Sequence, residues 1–262
     1  MPPAPRRRTW ARAIVIATIA VIAALATLAF ALPAAIVTHF LPANVAMTDL
    51  SGSLWHGSAG RLTVNNLDAG AVEWHLAPLA LLGLTVAADV HWVKTAFVLD
   101  ASVRISGGVI AAHDVHGEGP LQDVANFGLP AGVRGTATIS MARLVADPTR
   151  VRAIVGDLGI AALSLQSVAG GADLGGYALK FGSDAVAADG TVTGRLSDTG
   201  GGPLQLEGTV TATPATRTGM ISGTLQERGA MPTALAQELN GIAQLRGRDR
   251  DGRIPVDLEF AF

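Results

Sequence analysis

Apolar and polar positions alternate strictly along several stretches of the chain. Val86, Ala88, Val90 and Trp92 share one parity, while Thr85, Asp89 and His91 take the other. Phe97, Leu99, Ala101, Val103 and Ile105 form a second apolar row, opposed by Asp100, Ser102 and Arg104. Ala137, Ile139 and Met141 face away from Thr136, Thr138 and Ser140. Ile254, Val256, Leu258, Phe260 and Phe262 face away from Asp257 and Glu259. A period of two over such lengths predicts half-buried strands, with one sheet face wet and the other covered. Glycine clusters punctuate them at Gly107-Gly108, Gly170-Gly171, Gly175-Gly176 and Gly200–Gly202. Asp189-Gly190 and Asp251-Gly252 predict tight hairpin turns of type I′. A theme of Gly, then Thr or Ser, then an apolar residue recurs, as in Gly135-Thr136-Ala137 and Gly208-Thr209-Val210. Its spacing is irregular, so it reads as entry into a strand after a turn and not as a solenoid period.

The helical period is weaker. Asp147 with Pro148 suits a helix start, and Val151, Ile154, Val155 and Leu158 make a stripe behind it. Thr233 begins a second stripe of Leu235, Leu239 and Ile242 that ends near Gly247. No strand–helix rhythm of the parallel α/β kind appears. The expected fold class is therefore mainly β, an antiparallel β-rich domain (curved sheet, sandwich or trough) with one or two short helices. Thr199–Pro203 is the best position for an internal boundary.

One segment breaks this pattern. Ala13 to Leu32 reads AIVIATIAVIAALATLAFAL, about 20 residues without a charge and about 30 Å long as a helix. It has no polar face, so it does not fit a soluble core helix. Arg6, Arg7, Arg8 and Arg12 all precede it, which orients the N-terminus to the cytoplasm and the rest outward. A signal peptide is the rival, with A-x-A-like sites at Ala29-Phe30-Ala31 and Pro33-Ala34-Ala35; its apolar region is usually shorter. The expected organisation is a cytoplasmic tail at 1–12, a single-pass transmembrane signal-anchor helix at 13–32, and an exported β-rich domain at 33–262.

Composition narrows the chemistry. Hydrophobic residues make 49% of the 262 and charged ones 15%, against about a quarter in typical soluble domains. The 31 glycines fit many turns. A net charge of -2 gives no field that would recruit nucleic acid. The absence of cysteine excludes disulfides, thiolate metal sites and a thiol nucleophile. No serine sits in G-x-S-x-G, and no glycine-rich phosphate loop precedes a lysine. His113 and His116 form H-x-x-H beside Asp114 and Glu118, but flanking glycines point to solvated loop histidines. His56 and His91 read as isolated, with His91 on the wet side of its strand. Asp249, Asp251 and Gly252 lack the further oxygen ligands of a calcium loop and read as a turn. No catalytic, cofactor-binding or metal residue is assigned, and a non-enzyme is expected.

The motifs left over are LSGSLWHGSAGRL from Leu50 to Leu62, VEWHLAPLALLG from Val72 to Gly83, SGTLQERG from Ser222 to Gly229, and DRDGRIPVDLEF from Asp249 to Phe260. In this order, after an N-terminal apolar segment, they resemble the type II secretion system protein N family (general secretion pathway protein N). The matching residues are Gly52, Leu54, Trp55 and Gly57; Trp74, Leu76, Pro78 and Leu82; Gly223, Thr224, Leu225 and Arg228; and Asp251, Gly252 and Arg253. The resemblance implies one inner-membrane helix, a β-rich periplasmic domain and a non-enzymatic accessory role beside other secretion-apparatus subunits. Read physically, these residues are structural. Trp55 covers one end of the sheet, Trp74 packs, and Pro78 ends an extended run.

Two other functions compete. An anchored β-sheet can curl into a trough with an apolar lining, as in AsmA-like lipid-binding or lipid-transfer proteins, with membrane lipid as the partner. An outer-membrane barrel would suit the terminal alternation, but one tyrosine and 5% aromatic residues cannot build two aromatic girdles.

Overall fold

The computed structural model describes residues 31–124, 132–165, 173–229, 231 and 233–261. Its strands, in chain order, are β1 (Val45–Gly52), β2 (His56–Val64), β3 (Leu67–Leu76), β4 (Thr85–Lys94), β5 (Phe97–Ser106), β6 (Val109–Pro120) and β7 (Val133–Ala146). They continue with β8 (Val151–Leu165), β9 (Gly176–Phe181), β10 (Val192–Gly200), β11 (Leu204–Thr213), β12 (Thr218–Glu227) and β13 (Ile254–Ala261). All belong to one antiparallel sheet whose spatial order is the chain order, so each strand pairs only with its neighbours in sequence. The sheet crosses Thr199–Pro203 without a break, since these residues form the β10–β11 turn.

Register turns the alternation into two unbroken cross-strand rows. The apolar row runs Leu50, Ala59, Val72, Trp92, Leu99, Gly117, Ile139, Leu158, Leu179, Leu196, Gly208, Gly223, Val256. It takes one residue from every strand and holds no polar side chain. The next row runs Ser51, Ser58, Glu73, His91, Asp100, His116, Ser140, Asp157, Lys180, Arg195, Thr209, Ser222, Asp257, and every member is polar. Cross-strand neighbours of like polarity are what a single pleated layer needs to keep its two faces distinct. Gly208 and Gly223 stand opposite each other, and a Cβ on either would collide with the other's backbone.

Three short elements cover the apolar face in places. A 3-10 helix, Ala34–Phe40, seats Ala34 on Ala59, Val72 and Trp74. Helix α1 (Leu121–Val124) places Leu121 on Phe97, Val133 and Ala137. Helix α2 (Thr233–Arg246) lays Leu235 and Leu239 against Leu174, Leu204 and Ile254. The stripe that begins at Thr233 thus forms the expected helix, with Gly247 following at φ +79°. Ile242 on the same stripe stays exposed.

The helix expected after Asp147 does not form. Val151–Leu165 is β8, paired with β7 along nearly its whole length. Asp147 caps the β7–β8 turn instead, and the β-branched Val151, Ile154 and Val155 favour the strand that β7 and β9 can both pair. The two Asp-Gly turns are also not type I′. Gly190 and Gly252 have positive φ, but Asp189 and Asp251 do not, and type I′ needs both. The apolar segment 13–32 lies outside the described residues but for its last two. Among the described residues no helix is long and apolar enough to cross a membrane, a statement that leaves strand-crossing proteins aside.

Phe97 is 1% exposed where β5 begins. Phe97→Ala is expected to lower the stability of the fold by about 3–5 kcal/mol. Leu79→Ala, at an exposed site, should stay within about 0.5 kcal/mol. Chemical denaturation followed by circular dichroism measures both.

Candidate functional surfaces

The residues singled out in the sequence gather in three places. The first is the β1–β2 turn. Leu54 and Trp55 form its tip, and the Trp55 carbonyl accepts the Leu76 N–H at 2.7 Å. The Trp74 indole N–H donates to the Leu54 carbonyl at 2.9 Å. Its ring lies against Gly57, where any Cβ would overlap the ring atoms. Two motifs separated in sequence therefore form one lock: a glycine makes room, an indole fills it, and a turn carbonyl receives the donor. Trp55 and Trp74 are both buried. Pro78 takes the first turn of a 3-10 helix, Pro78–Gly83, that ends the extended run after β3, as its fixed φ and missing N–H dictate.

The second place is the polar face of β2–β6. His113 and His116 lie in β6, not in a loop. Asp114 between them has φ +50°, and the register slips there, so His113 pairs with Ser102 and His116 with Asp100. This bulge turns an i, i+3 spacing onto one face, which no period-two reading could show. His91 Nδ1 lies 2.6 Å from Asp100 Oδ1. Ser102 donates to Asp89 Oδ1 at 2.6 Å. His56 is not isolated either, since it meets His75 edge to face at 5.1 Å between ring centres. A shallow depression here is lined by His75, Asp89, His91, Asp100, Ser102 and Asp114. The His91–Asp100 and Ser102–Asp89 hydrogen bonds both tie β4 to β5 across this face. Among the described residues no three such groups converge as a metal site would require.

The third place is the run of turns and ion pairs that fastens the last strands. Arg228 reaches Asp198 at 2.5 Å and donates its backbone N–H to the Pro203 carbonyl, tying β12 to the β10–β11 turn. Burial, and then the Asp198 charge, push the Tyr177 hydroxyl above its ordinary range, while Arg228 opposes the rise. Asp249 Oδ1 accepts the backbone N–H groups of Asp251 and Arg253 at 2.9 and 2.7 Å. The triad Asp251, Gly252, Arg253 is thus the turn that launches β13. At β7–β8, Asp147 is held well below the carboxylate range by the Thr149 hydroxyl and then by Arg152 at 2.7 Å. Asp189 is lowered in the same way by the Thr191 backbone N–H and hydroxyl.

These locks run from Leu54 to Arg253, and a match to a known family covers the same stretch. The profile described as type II secretion system (T2SS), protein N, matches residues 43–257. The chain belongs to this family. No curated protein and no solved structure matches it. The matched region runs from just before β1 into β13, so the whole meander is the family's domain. Membership makes the chain a component of type II protein secretion, in a family of accessory components. The motif residues that pointed there serve the fold: Gly57 and Trp74 at the first lock, Arg228 at the last strands, Asp251–Arg253 at the final turn. Leu82 is the exception, with its side chain in solvent.

Trp74→Phe keeps a ring but loses the donor, and Gly57→Ala drives a methyl into that ring. Each is expected to destabilise by about 1–3 kcal/mol. Gly83→Ala adds a Cβ that meets nothing within 4 Å and should stay within about 0.5 kcal/mol. Denaturation midpoints give the comparison. Asp147 sets a pH dependence as well. Its pKa falls on folding, so its contribution is complete above the ordinary value of 3.8 and is lost as pH drops below that. Asp147→Asn should flatten this part of the acid limb in a stability–pH titration.

Proposed function

We propose that the chain is a non-enzymatic assembly component of the type II secretion apparatus. Ala13–Leu32 anchors it in the inner membrane, residues 1–12 face the cytoplasm, and residues 33–262 stand in the periplasm against other subunits. The observation that carries this reading is the family match from residue 43 to 257. Four arginines before an uncharged stretch of about 20 residues support the anchor and its orientation. The outer edges of β1 and β13, which pair with no strand among the described residues, and the wholly polar cross-strand row give the partners protein-like surfaces to meet. The β13 edge carries Pro255, Asp257 and Glu259, which discourage adventitious strand addition.

The partly uncovered apolar face favours a second reading, an AsmA-like groove that holds lipid. Leu258 and Phe260 at one end of β13 are exposed on that face, beyond the reach of α2. The two readings part in one experiment. The full chain, tagged at its C-terminus, is crosslinked in cell membranes and analysed by mass spectrometry. Secretion-apparatus subunits on an uncleaved chain that resists carbonate extraction are the expected result. Phospholipid in stoichiometric amount without those subunits would replace the first reading with the second.

A further inference from the structure

The 3-10 helix between β3 and β4 is out of place in a water-soluble domain. Its residues Leu79 and Leu82 are 79% and 85% exposed, and Leu84 just beyond it is 89% exposed. None of them joins any of the three apolar clusters. Beside them, Val86, Ile105 and Ile110 pair across β4, β5 and β6 as an apolar row that is 39–49% exposed. A contiguous apolar patch of this kind marks a contact surface. The backbone points the same way. Leu84 sits at φ +53°, a left-handed position that suits Gly or Asn and disfavours a branched side chain. The fold holds a leucine there although the side chain packs on nothing within the clusters.

Where the chain enters the sheet identifies the occupant. The Leu54 N–H donates to the Leu32 carbonyl at 2.8 Å, and Pro33 bridges Ser53. Leu32 is the last residue of the apolar segment Ala13–Leu32. The β1–β2 turn that receives it also receives Leu76, the residue from which β3 passes into the leucine-rich helix. The anchor and the exposed leucines therefore leave the sheet at the same end. Helices α1 and α2 close connections at the opposite end, where strand β4 turns into β5 and β12 leads to β13.

We propose that Leu79, Leu82 and Leu84 dip into the outer leaflet of the membrane that holds the anchor, a second contact that sets the sheet upright on the bilayer. This rests on the anchor reading above. A short apolar loop beside a transmembrane segment reaches the interface at no further cost of association, since the anchor already confines it there.

The chain has no cysteine, so single labels can be placed at will. Leu82→Cys, Ala96→Cys and Val21→Cys are each introduced into the full chain. Each is labelled with an environment-sensitive fluorophore and reconstituted into phosphatidylethanolamine–phosphatidylglycerol vesicles. Ala96 lies in the β4–β5 turn, about 30 Å from the leucines along a ten-residue strand. Far-UV circular dichroism confirms that the exposed substitutions leave the fold intact. The expected result is a blue shift at positions 21 and 82, quenching of both by nitroxide-labelled lipid, and protection of both from iodide, with position 96 open to iodide alone. Quenching by lipid at 21 together with iodide access at 82 equal to that at 96 overturns the inference and leaves the anchor standing. Iodide protection at 82 without lipid quenching also overturns it, because a protein surface then covers the leucines. A label at 21 open to iodide overturns the anchor and this inference together.

Discussion

A sheet one layer thick has to do something with its second face, and that constraint governs this protein. Among the described residues thirteen strands pair only with their sequence neighbours, and no second sheet covers the apolar side. The chain answers with three small covers, set where connections already leave the sheet. Ala34 comes from the entry segment, Leu121 from the β6–β7 connection, and Leu235 with Leu239 from the β12–β13 connection. Each covers a few residues. Elsewhere the face is uneven: Val115 and Met141 are buried, whereas Val86, Ile105 and Ile110 near the β3–β4 end are exposed.

The covers would be useless without a rigid sheet beneath them, and rigidity comes from locks between motifs. The Trp74 indole on Gly57, donating to Leu54, fixes the first three strands. Arg228 on Asp198 fixes the last ones. On the wet face, hydrogen bonds such as His91 to Asp100 and Ser102 to Asp89 tie strands together without drawing on the apolar side. Residues that look like chemistry in the sequence thus hold strands in register. This agrees with membership in a family of accessory secretion components.

The two ends of the sheet differ in a way that suits an anchored subunit. One end carries the helices of the β6–β7 and β12–β13 connections. The other carries the chain's entry at Leu32 and the bare leucines of the β3–β4 connection. If the proposed anchor holds, this polarity sets a membrane side and a far side.

Much of this was written in the amino-acid order. Alternation at Val86–Trp92, Phe97–Ile105 and Ile254–Phe260 fixed strands and faces, because the side-chain period of a strand is a property of its backbone. The four motifs fixed the family, and the stripe at Leu235 and Leu239 fixed a helix. Local signals failed where neighbours in space outvoted them. Asp147-Pro148 reads as a helix start, yet β7 and β9 offered both edges of Val151–Leu165 a partner, and pairing on two sides outweighs a cap. His113 and His116 read as loop residues, yet the bulge at Asp114 swung both onto the wet face. Sequence determined which residues are apolar and with what period. Only the tertiary structure decided which of them find a cover, because burial depends on whether a helix from a distant connection arrives above them, and among the described residues none arrives above Leu79, Leu82 and Leu84.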